Sequence, residues 1–390
     1  MKKKIVCCLL VSVMMVSGCL SEKIEDTKDS IASEEVDYTW EDDRELIIVT
    51  YDVTGLTDSM ITTFENQSGY DVKLVKLDDA GSILDHLMQY KGVQIADLAL
   101  GLDNTYLQTA LDNDVLWKHS YENLPAMDEK ALLPYDGPYA VPFDQGYMCL
   151  NYDTQIVDGV NYTVPTSLWD LTEDEWKGKV AFPSPETSSP GRAFMTATTD
   201  YFANDEDSTT DWTDWWAAMS ANDVIITSGW SEAYETHYTG GYGEWTDGYV
   251  GDAHVVVSYC HSPGVEAWYS GNWTKSAALD LPKASFHQVE YAAAVQGGNL
   301  GAASAFIEYL LSQDVNNNMP TENFMYPVLE GSDLPEDDGY RYHSVIPEQP
   351  ADVSAKDISE NMESWLQDWN KAMVDALSLI HISEPTRRKH

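Results

Sequence analysis

The sequence predicts an α/β protein of two lobes with a ligand cleft between them. Three observations lead there. β-Branched apolar runs alternate with helix-patterned segments from residue 45 onward. The 390 residues exceed what one simple core organises. Acidic, hydroxyl and aromatic residues recur just past the strand-like runs, where open α/β sheets bind ligands.

The elements follow in order. Residues 45–51 (ELIIVTY) form a β-branched strand, and 56–67 suit a helix. The stretch 70–77 (YDVKLVKL) alternates apolar and polar at every second place, as a half-buried strand does. Residues 81–90 read as helix, 95–101 as strand and 104–113 as helix. Past Pro142, strands are expected at 147–152, 180–182, 224–227 and 254–259, and helices at 191–202 and 212–221. A strand at 289–295 and helices at 300–311 and 359–374 complete the chain. One lobe is expected from 44–144 plus 289–375, including the last helix, and the other from 145–288.

The ends carry separate signals. Lys2, Lys3 and Lys4 precede an apolar run, 5–17, that is shorter than the about 20 residues of a spanning helix. Residues 1–18 therefore suit a signal peptide. Val16-Ser17-Gly18-Cys19 resembles a lipobox, which makes Cys19 the expected lipid-bearing residue. Residues 19–43 are too polar to bury a core and read as a flexible tether. These signals imply a place on the outer face of the cell membrane, held by the lipid alone. Residues 376–390 end in SLIHISEPTRRKH, a basic string that resembles a translated sequencing adapter. They are expected to be an artefactual or disordered tail, a short basic tail being the alternative.

Charge narrows the partners. Asp and Glu number 65 against 22 Lys and Arg, a net charge of −43. Such a surface repels nucleic acid and anionic lipid, and spread along the chain it reads as a solvating shell. Cys7, Cys8, Cys19, Cys149 and Cys260 form no C-x-x-C pair, so a zinc or dithiol site is not expected. Cys149 and Cys260 are the candidates for a disulfide, and sequence leaves that pairing open. No G-x-S-x-G, H-E-x-x-H or Walker string occurs. His261 follows Cys260 directly, and adjacent side chains seldom face each other as a nucleophile pair needs. Asp78-Asp79 has no second acidic cluster tied to it by spacing. Neither catalytic nor metal-binding residues are expected.

The loops after the strands hold the candidates. They are Tyr51-Asp52, Asp78-Asp79, Asp103, Phe143-Asp144, Thr187 to Gly191, Ser228 to Glu232 and Tyr259 to Pro263. Each Asp or Ser has a plainer role as a helix N-cap, worth about 1 kcal/mol. The combination at strand ends favours a ligand site.

These strings resemble the periplasmic thiamine-binding proteins of ABC importers, within the type II periplasmic-binding-protein-like superfamily. The likeness runs from about residue 46 to 373. It is carried by Thr50-Tyr51-Asp52, Leu100 to Asn104, Val141 to Asp144 with Gly146-Tyr147, and Thr187 to Gly191. It continues through Gly229 to Tyr234, Ser258-Tyr259 with Ser262-Pro263, and Pro320-Thr321 with Met325 to Val328. The resemblance implies a two-lobed solute-binding fold and thiamine, or its phosphates, as transported ligand. It implies an ABC transporter permease as partner, and a monomer. It implies four ligand loops: Asp79 and Ala80; Ser188 and Ser189; Trp230; and Tyr259, Cys260, His261 and Ser262. Tyr51, Asp52 and Phe324 join them. Aromatic faces suit a flat cation, at about 0.5–2 kcal/mol for each cation–π contact. A carboxylate suits the aminopyrimidine. The Ser188-Ser189 turn suits the hydroxyethyl end or its phosphate.

The chain departs from the family at Phe324, where a Trp is usual, and at Glu186, where an Arg is usual. It also departs at Val53-Thr54 after Asp52. Rival readings keep the fold with another ligand, such as ferric ion, a polyamine or a sugar, or take the chain as a secreted hydrolase or an adhesion module. Asn66, Asn161 and Asn272 begin glycosylation-type strings that chance alone produces often.

Overall fold

The computed structural model describes residues 44–52, 54–119, 121, 124–203, 210–241 and 251–383. The expected signal peptide, the lipidation residue Cys19 and the tether lie outside the described residues, as do 384–390.

Nine strands order the fold among the described residues. They are β1 (Glu45–Tyr51), β2 (Asp71–Leu77), β3 (Leu98–Asp103), β4 (Val141–Asp153), β5 (Val180–Pro183), β6 (Ile225–Thr227), β7 (Val255–Tyr259), β8 (Ser276–Leu279) and β9 (Phe286–Ala294). The α-helices are α1 (Asp58–Ser68), α2 (Ala80–Gln89), α3 (Leu107–Asp112), α4 (Glu129–Leu132), α5 (Ser189–Ala203), α6 (Trp212–Ala221), α7 (Ser262–Ser270), α8 (Leu300–Leu310), α9 (Gln313–Asn316), α10 (Met319–Glu322), α11 (Tyr340–His343) and α12 (Ala355–Ser383). A π-helical turn spans Glu232–His237.

The strands form one curled mixed sheet in the order β2-β1-β3-β9-β4-β7-β5-β6, with β8 on β4. β2, β1 and β3 are parallel at one end, and β7, β5 and β6 are parallel at the other. The long antiparallel strands β4 and β9 join the two ends, and they pair from Val141 with Ala292 to Met148 with Phe286.

Each parallel end has its own core. In β1, Leu46 and Ile48 pack on one face with Phe64, Leu98 and Phe306. Val49 packs on the other face with Ile83, Leu87 and Leu102, as strand alternation requires. At the far end Trp176, Phe182, Phe194, Trp215 and Trp216 fill the core. Their indoles bury about 150–250 Å² each, and two find partners: Trp215 Nε1 donates to the Leu168 carbonyl (2.8 Å) and Trp216 Nε1 to Thr198 Oγ1 (3.1 Å). The described residues of these halves belong to one compact unit.

The placement of the last helix needs correction. Ile358, Met362, Trp369 and Ala372 recur at helical spacing and face the core of the second half, beside α6. Trp369 meets Trp216 edge-on at 5.8 Å, and Ser220 Oγ donates to the Met373 carbonyl (2.7 Å). The apolar stripe shows which face is buried but not what covers it. α12 also runs on to Ser383, past the expected end at 374 and into the string taken as a tail.

Local chemistry sets the boundaries. α1 starts at Asp58 because the Thr57 side chain accepts the Met60 N–H, and it stops at Gly69, which is left-handed at φ 78°. α3 starts late, at Leu107, because Asp103 Oδ1 takes the Thr105 N–H and hydroxyl (2.6 Å each) and holds a turn there. No helix among the described residues is long and apolar enough to cross a membrane.

Candidate ligand-binding site

The carboxyl ends of the parallel strands from both halves meet around one cavity of about 490 Å³. Strand direction brings them together: β1 ends at Tyr51, Asp78-Asp79 follow β2, Trp230 lies past β6 and Tyr259 ends β7.

Asp79 joins the two sides. It is the N-cap of α2, and its Oδ1 accepts the N–H groups of Ala80 (2.7 Å) and Ser189 (3.0 Å), the latter being the first residue of α5. Burial raises the carboxyl to about 6, against these hydrogen bonds.

The floor is an acid–phenol network. Tyr51 Oη donates to Glu290 Oε2 (2.9 Å). Gln288 Nε2 donates to Glu290 Oε1 (3.0 Å) and to Tyr259 Oη (3.3 Å). Asn323 donates to Tyr51 Oη (3.3 Å) and to the Asp144 carboxylate, and its Oδ1 accepts the Gly55 N–H (2.6 Å). Burial holds both Glu290 and Asp144 well above the usual carboxylate range, and Asp144 adds to the rise at Glu290. Burial and the Glu290 charge likewise push the Tyr51 and Tyr259 phenols up. The Tyr51 ring lies so close to Gly101 (φ 101°) that a Cβ there would come within 2.3 Å of it.

The aromatic wall is braced from behind. Trp230 stacks on Tyr234 with centroids 5.0 Å apart and planes 15° off parallel. Its Nε1 donates to Ser258 Oγ (2.8 Å), which contacts Ser262 Oγ (2.8 Å). Phe324, also on the cavity, holds a left-handed φ of 57°, a costly conformation for a bulky residue.

Eight of the twelve residues that the resemblance assigns to the ligand line the cavity: Tyr51, Asp79, Ala80, Ser189, Trp230, Tyr259, Ser262 and Phe324. Four do not. Asp52 is exposed beyond the end of β1. Ser188 is fully buried behind Ser189. Cys260 is buried in a disulfide with Cys149 (Cα–Cα 4.9 Å), which settles the pairing and ties the Tyr259–Ser262 loop to β4. His261 is buried against the Phe324 carbonyl, and burial lowers its ring to about 4, so it is neutral.

Sequence reasoning missed Glu290, Asn323, Glu235 and Tyr269 on the cavity wall. Glu290 had a signal: a lone acid inside the apolar strand QVEYAAA, at 5% exposure. Glu235 and Tyr269 sit on helical turns and look like ordinary surface residues. Among the described residues no group of three His, Cys, Asp or Glu is arranged to hold a metal ion. The site therefore offers aromatic faces, buried acids and hydroxyls, a set suited to a flat organic cation.

The chain is similar to known binding proteins. The family of bacterial extracellular solute-binding proteins matches residues 93–236. The thiamine-binding periplasmic protein of Salmonella typhimurium is 27% identical over 336 residues, covering 84% of this chain and 93% of that protein. Its Escherichia coli counterpart is 26% identical over 315 residues, covering 80% and 86%. Among solved structures, a periplasmic thiamin binding protein superposes with a TM-score of 0.69 at 25% identity, covering 84% of this chain and 96% of that one. Iron-bound HitA from Pseudomonas aeruginosa superposes at 0.63 with 15% identity, covering 84% and 99%, a likeness of fold alone.

Proposed function

We propose, for a chain that matches the bacterial extracellular solute-binding proteins over residues 93–236 and is similar over most of its length to periplasmic thiamine-binding proteins, that it captures thiamine outside the cytoplasm and delivers it to an ABC transporter permease. The carrying observation is the cavity in which Asp79 and Trp230, from opposite halves, face one space lined by acids and rings. The thiazolium sits over an aromatic face, with Trp230 and Tyr259 as candidates. The aminopyrimidine donates to a carboxylate, with Asp79 nearest the rim of α2. The Ser189 hydroxyl takes the hydroxyethyl end. The ligand adds contacts between the two halves, so it favours the closed arrangement that the permease reads. No group of the chain performs chemistry on it. Lipid attachment at Cys19 would keep the protein beside its permease.

The ferric-ion reading draws on the fold likeness to iron-bound HitA. Geometry gives it little support: among the described residues no group of three His, Cys, Asp or Glu is arranged to hold a metal ion. Calorimetric titration with thiamine, spermidine, maltose and ferric citrate separates these ligands. One-site saturation by thiamine alone is expected; saturation by one of the others, with no thiamine heat, rejects the proposal.

A further inference from the structure

Phe324 stands on the cavity wall at a φ of 57°, and that left-handed region is unfavourable for any residue with a bulky side chain. Contacts on both sides of it pin the turn. Asn323 Oδ1 accepts the Gly55 N–H (2.6 Å), and the Tyr326 N–H donates to the Gln145 carbonyl (2.7 Å). At Phe324 itself the contact is His261, whose Nε2–H donates to the Phe324 carbonyl. A carbonyl can only accept, so Nε2 carries the hydrogen and Nδ1 the lone pair.

His261 is fixed in its turn. It is 1% exposed and follows Cys260, whose disulfide ties it to β4. Its ring packs against Tyr326 (centroids 4.4 Å apart) and Tyr259 (5.2 Å). Its Nδ1 is buried and has no hydrogen-bond partner. An orphaned buried acceptor lowers stability, and an apolar side chain of similar size fills the same space without it. Packing alone therefore does not account for an imidazole here; the bond from Nε2 does. His261 does not line the cavity, whereas Phe324 does, and Phe324 meets Tyr269, also on the cavity, edge-on at 5.9 Å.

We infer that His261 is a positioning residue: by holding the Phe324 carbonyl it keeps the Phe324 ring, with Tyr269 against it, turned into the cavity as an aromatic face for the ligand. The inference rests on the thiamine reading. Without the donor, Phe324 relaxes toward the negative φ that a bulky residue prefers, and its ring leaves the wall.

The test is calorimetric titration of thiamine into wild type, His261→Leu, His261→Gln, Phe324→Ala and the His261→Leu, Phe324→Ala double variant, with the Tm of each. His261→Leu is expected to bind about tenfold more weakly, the size of one lost aromatic contact. Its Tm should be unchanged or higher, because the orphaned acceptor is gone. His261→Gln, whose amide N–H reaches the same carbonyl, should return binding to within about threefold of wild type. Phe324→Ala should lose about tenfold, and the double variant should bind no more weakly than Phe324→Ala. His261→Ser, too short to reach the carbonyl, carries the same expectation for binding and replaces the leucine variant if that one does not fold. Wild-type affinity in His261→Leu or His261→Ser, or losses that multiply in the double variant, overturns the inference and leaves thiamine capture standing. If wild type itself takes no thiamine, the functional reading fails and the inference with it.

Discussion

Asp79 Oδ1 accepts the backbone N–H of Ser189 at 3.0 Å and so links the first turn of α2 to the first turn of α5 across the ligand cavity. The same oxygen accepts the Ala80 N–H at 2.7 Å. Two helix starts thus converge on one carboxylate and favour its ionised form, while burial opposes it and raises the group to about 6.

Asp79→Asn keeps the shape and removes the charge. Loss of one charge-assisted hydrogen bond, about 1.5–3 kcal/mol, corresponds to thiamine binding roughly 10- to 150-fold more weakly. Because a cationic ligand prefers the ionised carboxylate, wild-type affinity should rise as pH increases from 5 to 7. The variant should be flat over that range. Calorimetry at three pH values checks both.

Trp230→Phe keeps a ring beside Tyr234 but loses the indole N–H bond to Ser258. Affinity is expected to fall about threefold to tenfold. Trp230→Ala removes the face itself, and a loss of about 2 kcal/mol or more is expected. Quenching of intrinsic fluorescence by thiamine reads both variants.

The Cys149–Cys260 bond closes a loop of sequence separation 111. In the chain-entropy description such a link stabilises by about 4–5 kcal/mol. Cys149→Ser with Cys260→Ser should lower the calorimetric Tm by several degrees. Thiamine affinity should fall as well, since the bond holds the Tyr259–Ser262 loop on β4. An unchanged Tm shows that the bond contributes nothing to the fold.

Glu266 lies behind the aromatic wall, with Tyr234, Thr274 and Ser276 hydroxyls donating to it. Burial raises it to about 7 despite those donors. Between its unfolded value near 4.5 and 7, the native state holds a proton that the unfolded state has lost. Stability therefore falls as pH rises through that window. Glu266→Gln should remove this slope, with a relative gain at pH 8 over pH 5 of at most about 3 kcal/mol. Urea unfolding at both pH values checks it.

Much of this was legible from periodicity and from strand ends. The two-period alternation of 70–77 and the β-branched run 45–51 are strands because nothing local competes with them. Tyr51, Asp79, Trp230 and Tyr259 could be read as site residues because each ends or follows a strand. The cover of α12 was not legible, since its stripe names a buried face and not a partner. Nor was the exclusion of Ser188, Cys260 and His261, since neighbours along a loop point to opposite sides and only one side meets the cavity. Glu235 and Tyr269 were hidden for the converse reason: they reach the cavity from helical turns rather than from strand ends.

A thermodynamic cycle between Asp79 and Trp230 tests the central claim most directly. Thiamine is titrated into wild type, Asp79→Asn, Trp230→Ala and the double variant. Each single change is expected to weaken binding at least tenfold, and the double variant should show no saturation in the micromolar range. Unaltered thiamine affinity in either single variant would mean that the two halves do not close on this ligand.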